Sequence, residues 1–432
     1  MLDRRTFLGM AAGGAALAAA PASARPQGAN ERIVVGVMGC SRSNSGRNPG
    51  RGSTLAIGLA ALPGAEVAYV CDVDEKYLAA VTADVSAKQA RPPKAVKDFR
   101  RILDDKSVDA LVIATPDHWH APAAILGCAA GKHVYVEKPC SHNAREGQLL
   151  VAAARKHRRV VQHGTQRRSW ASHREAIQTL REGAIGKVLT AKAYYLFSDR
   201  PSIGKGMPAP VPEHLDWALW QGPAPEREYR DNVVHYNWHW FWHWGTSELG
   251  NNGVHVVDVC RWGLGVDYPV QVSSMGGKLR YDDDQETPDT NIVSFKFENN
   301  LLLTWEGKSW GGRTPADPAH QIAFFGDRGT LTISGTQYSI KDLSGAEVAK
   351  GQSNASDAVH LQNFLDGIRG TAPLNAEIEE GFKSTLLCHL GNISYRTGRT
   401  LRFDPKARAI EGDREAMNYW SREYRSGWEP KV

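Results

Sequence analysis

The sequence predicts an α/β fold that opens on a doubly wound parallel sheet, and three observations carry that prediction. From Arg32 onward, short apolar strands alternate with helical stretches, the rhythm of βαβ units. The first strand, Ile33 to Met38, runs directly into Gly39, and the second, Val67 to Cys71, ends on an acid, Asp72. A later strand, Val134 to Val136, delivers Glu137-Lys138-Pro139, a lysine beside a proline that stiffens its backbone.

Each element has a local reason. Ile33 to Met38 is apolar without alternation, as a strand covered on both faces must be. Gly39 supplies a tight turn, Ser41 stands where a second glycine is expected, and Gly52 arrives only after an insertion running from Ser43 to Gly50. A helix follows near Ser53 to Leu62. Helix N-termini after such turns attract pyrophosphate through free amides, and Arg42, Arg47 and Arg51 either add positive charge there or face solvent. A carboxylate at Asp72 accepts hydrogen bonds from adenosine ribose hydroxyls and repels a 2′-phosphate, so NAD is expected over NADP. Asp74 takes that role if the strand runs two residues further, and the competing role for such an acid is to cap a helix starting near Glu75. Leu111 to Ala114 is the next strand, followed by Thr115-Pro116, the His118-Trp119-His120 run and a helix from Ala121 to Ala130. A cation at the carboxyl end of the Val134 strand then lies where a nicotinamide ring meets a substrate hydroxyl.

The 432 residues suffice for two domains, and 42% hydrophobic with 23% charged residues is a globular composition. A net charge of +5 without a long basic run argues against nucleic acid as a partner. Asp3-Arg4-Arg5-Thr6-Phe7-Leu8 precedes a weakly hydrophobic stretch from Gly9 to Ala20, and Ala22-Ser23-Ala24 offers a small-residue cleavage site. This resembles a twin-arginine export signal over residues 1–30, which implies a periplasmic or otherwise exported protein that is not integral to the membrane after processing. The six cysteines show no paired or metal-type spacing, so buried thiols are expected.

Gly36-Val37-Met38-Gly39, Cys71-Asp72-Val73-Asp74, Thr115-Pro116, Gly131-Lys132-His133-Val134 through Pro139, and Gly253-Val254-His255 with Asp258 occur in an order that resembles the glucose–fructose oxidoreductase and inositol dehydrogenase family (Gfo/Idh/MocA). The resemblance implies a Rossmann NAD-binding domain over residues 31–160 and a substrate-binding and oligomerisation domain over residues 161–405. The latter carries a large open, mainly antiparallel sheet, and a tail covers residues 406–432. In such proteins the lysine of Glu-Lys-Pro and a later histidine face the nicotinamide, and the second sheet is often the interface of a homo-oligomer. Thr190 to Phe197, Val270 to Tyr281, Asn291 to Phe297, Leu301 to Glu306, Gln321 to Phe325 and Thr330 to Ile333 read as its strands, with Asn299-Asn300 and Asp327-Arg328-Gly329 as hairpin connections. Helices are expected near Ala358 to Arg369 and Ile378 to Arg396, and the aromatic tail is expected to dock.

Oxidising a secondary alcohol needs a base for the hydroxyl proton, and His255 is the expected base, with Lys138 stabilising alkoxide charge on the same oxygen. Asn251 stands where many members of the family carry aspartate, and an amide orients groups without relaying protons. Asp258 either steers the imidazole or pairs with Arg261. The expected cofactor-binding residues are Gly39, Ser41, Arg42, Gly52, Asp72, Thr115, Pro116, His120, Glu137, Lys138 and Gln166. The expected substrate residues are Lys138, Arg168, Trp238, His239, Trp240, Asn251 and His255. In the segment from His235 to Trp244, a helix would align His235, His239 and His243, whereas an extended chain would align Trp238, Trp240, Trp242 and Trp244. No carboxylate or cysteine joins those histidines at ligand spacing, so no metal is expected; indole faces suit a pyranose ring. The expected protein is an exported NAD-dependent oxidoreductase with a tightly bound cofactor, acting on a sugar or glycoside hydroxyl. The alternative is an NAD-dependent glycosidase working by transient oxidation, elimination and rereduction.

Overall fold

Apolar strands without alternation satisfy their backbones only in a sheet covered on both faces. The first half does this in the computed structural model, which describes residues 32–42 and 48–432. The export-signal segment 1–30 and Arg47 lie outside the described residues. Strands β1 (Ile33–Met38), β2 (Ala65–Cys71), β3 (Lys94–Val96), β4 (Ala110–Ile113), β5 (His133–Val136) and β6 (Val161–His163) form one parallel sheet in the order β3-β2-β1-β4-β5-β6. The order reverses between β1 and β4, and at such a switch point the carboxyl ends of the strands open a crevice.

Two glycines shape that crevice. Gly39 has φ +87°, and a Cβ there would stand 2.6 Å from the Thr115 amide nitrogen. A Cβ on Gly52 would meet the Gly39 carbonyl oxygen at 1.6 Å, so the helix Arg51–Ala61 packs directly on the turn. Ser41 is tolerated between them because its carbonyl closes the inserted loop, accepting from Gly50 N at 2.8 Å and the Ser53 hydroxyl at 3.0 Å.

The second half supplies β7 (Val188–Tyr195), β8 (Gln271–Gly277), β9 (Thr290–Lys296), β10 (Leu302–Lys308), β11 (Ile322–Gly326), β12 (Gly329–Ser334), β13 (Gln337–Asp342), β14 (Glu347–Gln352), β15 (Leu401–Asp404) and β16 (Ala409–Ile410). They lie in the order β14-β13-β12-β11-β7-β10-β9-β8-β15-β16. Neighbours run antiparallel except β7 beside β10. Burial alternates along β9 and β10, as one covered face requires. Asn299 and Asn300, at φ +62° and +60°, make the hairpin between them, the left-handed pair that Asn adopts readily.

The helix Ile378–Thr397 is buried almost all round, which explains why it lacks a polar stripe. It ties the halves together: the Thr385 hydroxyl accepts from Cys140 N at 3.4 Å, and the Ser384 hydroxyl donates to Asp258 at 2.6 Å. The helix after β4 begins at Asp117, four residues before the expected start. Pro122 inside it has no N–H for the His118 carbonyl four residues back, and Arg422 of the tail donates there instead at 2.7 Å. Arg422 also pairs with buried Glu146 at 2.8 Å, and Trp428 packs edge-on against Trp119, ring centres 5.0 Å apart. The aromatic tail thus docks on the first half. All six cysteines are free and buried.

Candidate active site

A cavity of about 750 Å³ runs along the carboxyl ends of β1, β2, β4 and β5 and under the loops of the second half. Its nucleotide end is built from Gly39, Ser41, Arg42 and Asp72, its middle from Thr115, Pro116, His120, Glu137 and Gln166, and its far end from Lys138, Trp238, His239, Asn251 and His255. Gly52 lies behind the wall as a packing glycine.

At the nucleotide end, β2 stops at Cys71, and the two candidate acids divide the work. Asp74 caps the helix Glu75–Ser86, accepting from Lys76 N at 2.9 Å and Tyr77 N at 3.3 Å. That leaves Asp72 for the cavity. Its oxygens accept from Cys40 N at 2.6 Å and Asp74 N at 2.9 Å, and each keeps a free lone pair. Desolvation raises this carboxyl to about 6, against the pull of those backbone donors. Arg42 is ion-paired to Asp84, and Arg51 to Glu137 and Asp357, both at 2.7 Å. Neither guanidinium stands free for a 2′-phosphate, in keeping with NAD. The helix Arg51–Ala61 has no side-chain cap, so its first amides remain available to an anion. Thr115 Oγ1, Gln166 Oε1 and Arg51 Nη2 are buried without a partner among the described residues. A polar dinucleotide fits this combination of glycine turn, uncapped helix, strand-end acid and unpaired polar atoms.

The middle of the wall is braced from behind. Glu137 is buried, holds Arg51 and receives the Tyr135 hydroxyl at 3.3 Å. Arg51 keeps the Glu137 carboxyl below its usual range despite burial. The ring nitrogens of His120 lie 2.6 Å from the Pro139 carbonyl and 2.8 Å from the Thr115 carbonyl, tying together the two loops that flank Lys138.

At the far end, Lys138 Nζ reaches from the first half to Asn251, 3.0 Å from its carbonyl and 3.0 Å from its Oδ1. An ammonium has three N–H donors, so one remains for a third acceptor. Asn251 sits in a π-helical turn, Leu249–Gly253, which leads directly into the helix Val254–Leu264. Such turns interrupt the regular ladder and recur at functional sites. His255 follows one turn later, with Nδ1 unpartnered. Burial pushes its imidazole well below the usual range, and the charges of Lys138, Arg167 and Arg51 push the same way. Both effects favour the neutral imidazole.

The segment from His235 to Trp244 is neither helical nor extended: a short 3₁₀ turn, Asn237–Trp240, sits among tight turns. Its histidines are dispersed, His235 to Asp74, His239 Nδ1 to the Tyr236 carbonyl at 2.6 Å, and His243 Nε2 to the Pro225 carbonyl at 2.8 Å. Trp238 and His239 stack with ring centres 3.6 Å apart and both face the cavity. Trp240 does not: it is 1% exposed, in a cluster with Trp217, Trp220 and Trp244, under the Arg200 guanidinium. Tyr77, Trp220, Tyr236 and Asn252 also line the cavity, and sequence reasoning missed them. Only Tyr236 carried a signal, its place inside the aromatic run.

Arg168 is likewise turned away from the cavity. It makes a forked pair with fully buried Asp258, Nε at 2.8 Å from Oδ2 and Nη2 at 2.9 Å from Oδ1. Asp258 therefore neither steers His255 nor takes Arg261, which binds Glu380 at 2.6 Å. Arg168→Leu leaves a buried carboxylate uncompensated and is expected to cost about 3–5 kcal/mol of stability, read by urea unfolding. A loss under about 1 kcal/mol would contradict a structural role for the pair.

Residues 33–165 match a family described as "Oxidoreductase family, NAD-binding Rossmann fold", and residues 202–430 match "Oxidoreductase family, C-terminal alpha/beta domain". A levoglucosan dehydrogenase of Pseudarthrobacter phenanthrenivorans is 25% identical over 193 residues, 44% of this chain and 42% of that protein. A glycosyl hydrolase family 109 protein of Saccharopolyspora erythraea is 30% identical over 175 residues, 39% of this chain and 36% of that protein. The matches thus span less than half the length of these two relatives. The WlbA dehydrogenase of Bordetella pertussis, solved with NADH and UDP-GlcNAcA, superposes with a TM-score of 0.64 at 20% identity, covering 86% of this chain and 99% of that one. That likeness is one of fold.

Proposed function

Because the chain belongs to the Gfo/Idh/MocA oxidoreductase family, we propose that it is an NAD-dependent enzyme oxidising or reducing a secondary hydroxyl of a sugar or glycoside. The observation that carries this reading is the reach of Lys138 to Asn251, one helical turn from the neutral His255 and facing the same cavity. NAD, when bound, supplies the hydride acceptor. The remaining Lys138 donor holds the substrate oxygen and stabilises its developing charge, while His255 takes the hydroxyl proton. Asn251 Oδ1 is occupied by the lysine and its amide also serves the Tyr236 hydroxyl, which leaves one N–H to orient a neighbouring substrate oxygen. The Trp238 ring, whose other face stacks on His239, offers an apolar surface to a pyranose.

Export through the N-terminal signal and homo-oligomerisation through the second sheet belong to the same proposal. Free NAD is scarce outside the cytoplasm, so the cofactor stays bound and is reoxidised by a second carbonyl compound or by the product itself. The native protein is expected to carry nucleotide in equal proportion and to show its reduction at roughly 340 nm when titrated with a glycoside panel. Protein purified without nucleotide, or silent across the panel, would sink the proposal.

A second imidazole favours the alternative, redox-assisted glycosidic cleavage. His239 is pushed down to about 3, chiefly by desolvation, and its Nδ1 faces the Tyr236 carbonyl, which leaves Nε2 as an acceptor beside the cavity. Oxidation of one ring carbon acidifies the C–H next to it. His239 would remove that proton as the glycosidic C–O bond breaks and the substituent leaves, protonated, as an alcohol. Water would then add across the resulting C=C, its oxygen to the anomeric carbon and a solvent proton to the neighbouring one, and return of the hydride to the ring carbonyl would close the cycle. The mark of this reading is solvent deuterium at the neighbouring carbon without added acceptor, abolished in His239→Ala.

A further inference from the structure

The nucleotide end of the cavity is roofed by the second half, and one buried carboxylate holds the roof. Asp74 is 1% exposed. Its Oδ1 caps its own helix, while Oδ2 lies 3.0 Å from His235 Nε2 and 3.0 Å from His214 Nδ1. His235 Nε2 stands at hydrogen-bond distance from the carboxylate, whereas His214 Nδ1, equally close, makes no hydrogen bond among the described residues. Backbone bonds stitch the same segment down, Glu75 N to the His214 carbonyl at 2.9 Å and Asp216 N to the Val73 carbonyl at 3.0 Å. The His235 ring lies 4.5 Å from that of Tyr77, and both rings line the cavity along with Asp72 and Leu219.

We infer that the Asp74–His235 contact is a clasp that retains the dinucleotide, the second half closing over the adenosine side of the site. The inference rests on the reading that NAD binds at Asp72. A nucleotide held there lies beneath the 214–235 segment, so its departure requires that segment to lift. The backbone stitches hold the start of the segment, Trp119 Nε1 and His118 Nε2 hold its middle at the Trp220 carbonyl, both at 3.0 Å, and His235 meets Asp74 at its far end, beside the cavity. Because the carboxylate is buried and already anchored by its helix amides, the imidazole meets a fixed acceptor, and ordering the contact costs little.

The test is the dissociation rate of NADH from the full-length protein, followed by nucleotide fluorescence under a chase of excess NAD, with nucleotide content after gel filtration as a second readout. His235→Ala is expected to speed release by about tenfold or more, the scale of one charge-assisted hydrogen bond. His235→Gln, which keeps a donor near the Nε2 position, is expected to recover most of the slow release and covers the case in which the alanine variant fails to fold. Thermal melting without nucleotide is expected to fall modestly in His235→Ala, which strips a partner from buried Asp74, and to recover in His235→Gln, so release rates are compared well below each melting temperature. Release at the wild-type rate from folded His235→Ala overturns the clasp alone. Wild-type protein that binds no NADH overturns the nucleotide site, and the clasp with it.

Discussion

Lys138→Ala is expected to lower kcat by about 10²–10³-fold while the nucleotide stays bound. The ammonium hydrogen-bonds the Asn251 turn from the β5 end and lines the cavity, and in the proposed mechanism its third donor serves the substrate oxygen. Removing it leaves that oxygen without a cationic partner and leaves two Asn251 acceptors unserved. The cofactor wall does not depend on it, because Glu137 is held by Arg51 and His120 braces both loops. Lys138→Arg is expected to rescue poorly, since a planar guanidinium replaces a compact point charge. Single-turnover reduction of bound nucleotide near roughly 340 nm measures the effect. A rate within about threefold of wild type would remove Lys138 from the mechanism.

His255→Ala is expected to cost about 10²–10⁴-fold in kcat, the range for losing a positioned general base. The pH profile adds a sharper expectation. Only the neutral imidazole accepts a proton, and burial, with Lys138, Arg167 and Arg51 nearby, pushes this one well below the usual range. As pH falls through about 6.5, where an ordinary histidine becomes charged, His255 stays neutral and competent. The wild-type kcat is therefore expected to hold between about pH 7.5 and 6, a window in which an unperturbed histidine base would lose more than half its activity. An acid limb centred near 6.5 that vanishes in His255→Ala would show that the imidazole is not desolvated as the structure has it.

The nucleotide end was largely legible in the sequence because its signals are local. A strand buried on both faces announces itself as an unbroken apolar run, a positive φ asks for glycine at Gly39, and the residue closing β2 lies at the crevice by construction. The division of labour between Asp72 and Asp74 was open, and two residues of strand length settled it: Asp74 falls at the helix cap and Asp72 two residues before it, at the cavity.

At the far end the sequence named Lys138, Trp238, His239, Asn251 and His255, which line the cavity, but not the geometry that brings them together. Gly253-Val254-His255 marked one turn, but the π-helical turn that turns the Asn251 carbonyl and amide together toward Lys138 has no sequence signature. The aromatic run admitted two periodicities and follows neither, because Trp217 and Trp220 pack into it and decide which indoles are interior. Arg168 looked available from its loop, yet Asp258, ninety positions on, claims it.

Short-range pattern was enough to specify a dinucleotide-binding α/β fold, the glycine turn, the strand-end acid and the strand-end lysine, and the resemblance to a family singled out the histidine. The pairing of buried charges was decided by tertiary structure alone: Arg168 with Asp258 and Arg51 with Glu137. A strand or turn is set by the few residues within it, whereas the partner of a buried charge is whichever opposite group the packing of distant segments brings within about 3 Å.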